Sequence, residues 1–263
     1  MKPRGPARGW TVLVTGASAG LGRCLALELA RRGCGLGLTG RDRGRLESVA
    51  EECLAVGADF ARVFAADLAV EGGAEFLIGE VSASGLVVDA LVNNAGSGRA
   101  GPWSDSSSQI DRAFVRLLVD TPLTLTRAWL EEWRNRGRGA LLNISSTGAF
   151  QPGPQTAVYY AAKAFLASWS LALAREERAW LAVTTLCPGA LKTGFSRAAG
   201  KADIPGAPLP EKTARTAVRA WVRGQRLVVP GWTNQGLLLA SRLLPPTWMA
   251  AGVEAVQLSL KKR

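Results

Sequence analysis

A doubly wound α/β domain with a parallel sheet of about seven strands is the fold class this sequence predicts. Short β-rich apolar runs alternate with stretches of helical periodicity from Trp10 to Val229. A glycine-rich turn joins the first such run to the first helical stretch. The chain has 263 residues, enough for one domain with a full core, and shows no repeat or linker that would mark a second. Residues 1–9 read as a loose basic leader, 10–231 as the domain, and 232–263 as an amphipathic segment belonging to it.

The first strand is predicted over Trp10–Thr15, rich in β-formers. Helical spacing of Leu25 and Leu29 predicts a helix over Arg23–Arg32, stopped by Gly33. Cys34–Gly40 follows as a strand, then a helix over Arg43–Val56 with Leu46, Val49, Ala50 and Leu54 inward. Ala61–Ala66 is a strand, Gly73–Ser82 a helix, and Val87–Asn93 a strand. After a Gly/Ser-rich loop, Ile110–Asn135 reads as one long helix and Ala140–Ser145 as a strand. The helix Tyr159–Ala179, the strand Leu181–Cys187, the loop Lys192–Pro210, the helix Glu211–Gly224 and the strand Leu227–Val229 complete the order. Such alternation implies parallel strands covered on both faces.

Composition excludes several classes. Hydrophobic residues make up 48% of the chain, which is too many for disorder. There is no histidine, so Ser-His-Asp and Cys-His catalysis are excluded. Cys24, Cys34, Cys53 and Cys187 form no CxxC pair, and no metal site is expected. The net charge of +11 reads as arginine spread over solvated faces, with no aromatic-interleaved basic strip to take nucleic acid. Free thiols and the absence of an export signal point to a reducing cytoplasm. No run of eighteen or more apolar residues predicts a membrane span.

Four stretches carry chemistry. Thr15-Gly16-Ala17-Ser18-Ala19-Gly20-Leu21-Gly22 lies between strand and helix, where backbone N–H groups and a helix dipole receive phosphate. Asn93-Asn94-Ala95-Gly96 ends the fourth strand, and Ser145-Ser146 ends the fifth. Tyr159 and Lys163 stand four apart, on one face of a helix. A free phenol titrates near 10, and an adjacent ammonium favours the phenolate. That pair is therefore suited to passing a proton to or from a substrate oxygen. Tyr160 is only three residues from Lys163, so spacing favours Tyr159.

Together, in this order, these stretches resemble the short-chain dehydrogenase/reductase family from about Gly9 to about Val229. The resemblance implies a Rossmann-type fold, a homodimer or homotetramer, and hydride transfer between a nicotinamide and a small-molecule carbonyl or alcohol. Ser146, Tyr159 and Lys163 become the catalytic set. Cofactor binding falls to Gly16, Ser18, Gly20, Leu21, Gly22, Arg41, Asp67, Leu68, Asn94, Ala95, Gly96, Tyr159, Lys163, Pro188, Gly189 and Thr193. Asp67 would meet the adenine, and the loop from Pro188 to Thr193 the carboxamide or a phosphate. Of the paired asparagines, Asn93 is expected to brace the sheet and Asn94 to touch the cofactor. Gly40 offers no carboxylate to a ribose 2′-OH, and Arg41 offers a fork to a 2′-phosphate, so NADP (NADPH) is expected over NAD.

One departure stands out. Counting back 28 residues from Ser146, the offset of the family's relay asparagine, lands on Leu118, which cannot hold the relay water. Asp120, the nearest polar residue, lies about 200° round the helix. A catalytically weak dinucleotide-binding or scaffold protein is the alternative this raises. Trp103 and Phe150 are candidate pocket walls. For residues 232–263 two readings stand: a cover over the pocket or a subunit interface, and contact with a membrane surface.

Overall fold

The structure, a computed structural model, describes residues 4–202, 204 and 206–260. Residues 1–3 of the expected leader, positions 203 and 205, and the basic run 261–263 lie outside the described residues. The strands are β1 (Thr11–Thr15), β2 (Gly35–Gly40), β3 (Ala61–Ala65), β4 (Ala90–Asn93), β5 (Gly139–Ile144), β6 (Leu181–Leu186) and β7 (Leu227–Val228). All seven pair in parallel in the order β3-β2-β1-β4-β5-β6-β7. Val14 of β1 sits beside both Leu38 and Val92, so β1 is central. The order reverses between β1 and β4, which opens a crevice at their carboxyl ends.

The helices are α1 (Gly20–Ala30), α2 (Arg43–Ala55), α3 (Gly73–Ala83), α4 (Ser108–Val115), α5 (Thr121–Asn135), α6 (Ala157–Glu176), the single turn α7 (Phe195–Ala198), α8 (Pro210–Val222), α9 (Trp232–Leu243) and α10 (Pro246–Ser259). Side chains of α1, α2 and α8 pack with Val12, Val14, Leu36 and Leu142 on one face of the sheet. Those of α3, α5 and α6 pack with Leu13, Leu91 and Leu141 on the other. The alternation of Val12, Leu13 and Val14 between the two clusters is the period of a strand buried on both sides. Each face holds one fully buried tryptophan whose indole N–H reaches a strand or pre-strand carbonyl: Trp221 to Ala182 (3.3 Å) and Trp133 to Val88 (2.7 Å). A polar tip is thereby satisfied inside an apolar layer.

Several boundaries differ from the sequence reading. Helix α1 begins at Gly20, inside the glycine turn, rather than at Arg23. On α2 it is Cys53 that is buried, while Leu54 is 49% exposed, one step round the helix from the inward stripe. The expected helix 110–135 is two helices joined by a wider π turn, Arg116–Asp120. Residues 4–9 are not a loose leader: Gly5 and Pro6 are buried, and the Gly5 N–H donates to the Trp221 carbonyl. A Cβ on Gly5 would lie 2.6 Å from that oxygen, which explains the glycine. Helix α6 is long and apolar enough to satisfy a membrane-span test, contrary to expectation, with a mean hydropathy of 1.2. It nonetheless packs on β6 and buries Lys163, as a core helix does.

Candidate active site

The glycine turn is shaped by close approach. Gly16 and Gly20 have φ of +65° and +55°, the left-handed region that glycine enters without strain. Gly22 is required by packing: a Cβ there would lie 2.0 Å from the Gly16 carbonyl oxygen. Helix α1 thus starts almost in contact with the turn that precedes it. Its N-cap residue, Ala19, supplies no side-chain hydrogen bond, and its first turn carries no acid. The N-terminal N–H groups and positive dipole end therefore remain available to an anion. Leu21 packs against the core below, and Ser18 is half-buried at the turn's outer edge.

A clasp closes the base of the crevice. The Thr15 hydroxyl donates to the Val92 carbonyl (3.1 Å) and accepts from the N–H groups of Asn94 and Ala95, both at 2.9 Å. One donor and two lone pairs are all used. The Asn94 amide donates to the carbonyls of Thr15 (2.9 Å) and Gly16 (3.1 Å). The side-chain N–H groups of Asn94, a residue expected to touch the cofactor, hold the glycine turn. Asn93 braces the sheet, donating to Asn143 at 2.9 Å. Asp67 accepts from the Ala69 N–H (2.9 Å), and the Leu68 carbonyl accepts from Thr121 (3.0 Å), so the end of β3 is pinned. Gly96 lies near both Leu118 and Lys163: a Cβ on it would be 3.3 Å from Leu118 Cδ2 and 3.8 Å from Lys163 Nζ.

Ser146, Tyr159 and Lys163 are brought together at the ends of β5 and α6. Ser146 accepts from the Gly148 N–H at 3.0 Å and hydrogen-bonds the Tyr159 phenol. Ser145 serves a different purpose: buried, it donates to the Lys163 carbonyl (2.7 Å) and ties strand to helix. Lys163 is 5% exposed; Nζ donates to the Ile144 carbonyl (2.7 Å) and stands 5.7 Å from the centre of the Tyr159 ring. Burial lowers its pKa to about 8. Burial also raises Tyr159 to about 12, against a lowering pull from the Ser146 hydrogen bond. The expectation that Lys163 lowers the phenol's pKa is thus corrected. Desolvation outweighs it, and the group that pulls the phenol down is Ser146. Tyr160 points elsewhere: its hydroxyl accepts from Gln257 (3.2 Å) on α10.

The loop after β6 lies over the crevice. Pro188 accepts from the Thr147 N–H (2.9 Å), and a Cβ on Gly189 would be 2.5 Å from Asn234 of α9. Thr193 reaches the glycine turn, since a Cβ on Gly20 would be 3.0 Å from Thr193 Cβ. Phe195, which sequence reasoning missed, sits 5.7 Å from the Tyr159 ring centre. As the only large aromatic in the Lys192–Pro210 loop it was the available signal. A cavity of about 30 Å³ beside Tyr159 is lined by Trp103, Phe114, Thr156 and Val158 among others. Trp103 borders this cavity, and Phe150 is not among its lining residues. The Thr156 hydroxyl is buried without a hydrogen-bond partner among the described residues.

At the end of β2, a Cβ on Gly40 would meet Ser18 Oγ at 3.4 Å, an ordinary contact. Arg41 is exposed, while Asp42 is committed to capping α2, accepting from the Arg45 N–H at 3.0 Å. Arg23, the other nearby cation, is bound to Glu52 through two hydrogen bonds.

The family model described as short chain dehydrogenase matches residues 10–203. A very-long-chain 3-oxoacyl-CoA reductase of Aspergillus clavatus is 34% identical over 174 residues, which are 65% of this chain and 50% of that protein. The chain spans about half the length of the curated relatives it matches first. A short-chain dehydrogenase from Sphingobium yanoikuyae, solved in complex with NADPH, superposes with a TM-score of 0.80 at 25% identity, covering 89% of this chain and 93% of that one. A 3-ketoacyl-(acyl-carrier-protein) reductase from Brucella melitensis, complexed with NADH, gives 0.74 at 28% identity over 85% of this chain and 97% of that one.

The burial of Lys163 makes a prediction about stability. With a native pKa of about 8 against an ordinary 10.5, the unfolded chain holds this proton more tightly than the folded one. Below the native value the buried charge costs roughly 3 kcal/mol, and the cost fades as pH rises to the unfolded value. Urea unfolding of wild type and Lys163→Met should therefore show their difference moving in the wild type's favour between pH 8 and 10.5. A difference that stays flat across that window would show that Lys163 is not desolvated.

Proposed function

The chain belongs to the short-chain dehydrogenase family, and on that premise we propose that it is an NADP(H)-dependent oxidoreductase that reduces an apolar carbonyl compound. The observation that carries this reading is the convergence of Ser146, Tyr159 and Lys163 beside Gly96 at the mouth of the crevice. The glycine turn fits a dinucleotide, because it leaves an uncapped helix end and a surface free of side chains. Gly16, Ser18, Gly20, Leu21 and Gly22 would hold the pyrophosphate region. Asp67 and Leu68 would meet the adenine, Ala95 and Gly96 the ribose, and Pro188, Gly189 and Thr193 the nicotinamide end. Asn94 takes part by fixing the turn. The bound nicotinamide supplies the hydride.

The protein's own part is positioning and proton transfer. Ser146 donates a hydrogen bond to the substrate oxygen and holds it in line. Tyr159, raised by burial, stays protonated through the neutral range and can give its proton to the substrate oxygen. Lys163 keeps N–H donors beyond the one given to Ile144, available to ribose hydroxyls. Trp103, Phe114 and Val158 make the substrate side apolar, and the unpaired Thr156 hydroxyl offers one polar contact. The oxoacyl-CoA reductase among the relatives is consistent with an apolar acyl substrate.

The same proposal includes a homodimer or homotetramer in the cytoplasm. Trp129 and Trp133 of α5 are buried in the core and offer no surface to a partner. Phe165, 38% exposed and stacked on Trp169, remains for it on α6. Leu118 favours a second reading, a dinucleotide-binding protein of weak turnover. Its side chain occupies the space beside Gly96 and is 1% exposed, where an amide would have served a water.

Three experiments test these assignments. Tyr159→Phe should abolish carbonyl reduction and leave NADPH binding nearly intact, whereas Tyr160→Phe should retain turnover. The reverse pattern would reassign the acid. Placing an amide at the departure by Leu118→Asn should raise the reduction rate; an unchanged rate would mean the proton reaches Tyr159 by another route. NADPH should be preferred over NADH by about tenfold or more, the worth of one charged hydrogen bond. Gly40→Asp/Arg41→Ala, which the open contact at Gly40 accommodates, should reverse that preference. A wild type that prefers NADH, or a double variant that still prefers NADPH, would show that the selector lies elsewhere.

A further inference from the structure

The two C-terminal helices divide their apolar residues between two faces. Inward, Met249 and Val253 are buried, Asn234 lies against Gly189, and Gln257 donates to Tyr160. These contacts use one side of the pair to cover the active-site end of the sheet. Outward, Trp232, Leu239 and Leu243 stand at i, i+7 and i+11 on α9, a single stripe, and are 84%, 59% and 73% exposed. Every residue from Arg242 to Trp248 is exposed, and this connection between the helices carries Leu243, Leu244 and Trp248. Isolated exposed leucines are common, but a stripe running into an exposed apolar connection is not.

We propose that this tip docks on an anionic lipid bilayer, with Leu243, Leu244 and Trp248 entering the interface and Trp232 resting at its edge. Charge selects the occupant. From Trp232 to Val253 there is no acidic residue, and Arg242 is exposed beside Leu243 and Leu244. A second copy meeting this tip about a two-fold axis would set Arg242 near its own counterpart, with no acidic residue on α9 to pair it. Nucleic acid would take up the charge and leave the leucines in water. An anionic membrane satisfies both features, and Arg242 beside the inserted leucines is placed to meet headgroups. The same docking would put the pocket's cover at the lipid surface. This inference does not depend on which cofactor or carbonyl the site uses.

The test is co-sedimentation of the full chain with vesicles of phosphatidylcholine alone and of phosphatidylcholine mixed with phosphatidylglycerol. Binding is expected only with the mixed vesicles, weakening as salt rises. Leu243→Ser/Trp248→Ser should reduce that binding about tenfold or more while leaving the circular dichroism spectrum and NADPH binding unchanged. Arg242→Gln, which leaves the apolar tip intact, should weaken it by a smaller factor. A wild-type chain that stays in the supernatant with the mixed vesicles would overturn the proposal. So would a serine double variant that sediments as well as wild type. Light scattering without lipid is the remaining arm: an oligomer that the double variant dissociates would assign the tip to self-association instead.

Discussion

Everything at the mouth of the crevice depends on the clasp formed by Thr15 and Asn94. The two central strands part at this point, and nothing in a parallel sheet alone fixes how far apart their carboxyl ends stand. Thr15 supplies one donor and two acceptors, all spent on the end of β4, and Asn94 returns two donors to the glycine turn. The turn is thereby held in a left-handed conformation that leaves α1 nearly touching it. Gly22 is the consequence, since any side chain there would collide with the Gly16 carbonyl. A hydroxyl and an amide thus set the geometry that a phosphate would meet.

The second organising element is burial at the ends of β5 and α6. The tyrosine and lysine are drawn into a region where charge is poorly solvated, and each is pushed toward its neutral form. At neutral pH the phenol is therefore uncharged, while Lys163, below its value of about 8, still carries its buried charge. Ser146 counters the effect on the phenol by direct hydrogen bonding. Ser145, its neighbour in sequence, faces the other way and locks α6 to the sheet through the Lys163 carbonyl. Successive residues of the extended chain leaving β5 point to opposite sides, so one serine is structural and the other is presented to the site.

Much of this was legible in the sequence. Strands buried on both faces read as continuous apolar runs, and their ends were marked by the glycine turn, the paired asparagines and the paired serines. The fold class follows from these, as does the set of residues gathered at the site. What stayed hidden depends on distant partners. That Asn94 also braces the glycine turn follows from Thr15 lying across the crevice, which the local sequence does not report. The direction of the Tyr159 shift is set by burial, which spacing along a helix does not report. The π turn at Arg116–Asp120 carries no proline or glycine to announce it. Phe195 and Gln257 reach the tyrosines from 36 and 97 residues away in the chain.

The second tyrosine has a consequence of another kind. Tyr160 fills a slot whose floor is glycine: a Cβ on Gly153 would lie 2.1 Å from its ring, and one on Gly148 at 3.1 Å. Its hydroxyl then reaches α10 through Gln257, which also accepts from Lys201 on the loop over the pocket. These positions are coupled by volume. A small side chain at 160 would release the need for glycine at 153 and 148 but remove the link to the C-terminal helix. With the ring in place, a side chain at 153 collides with it.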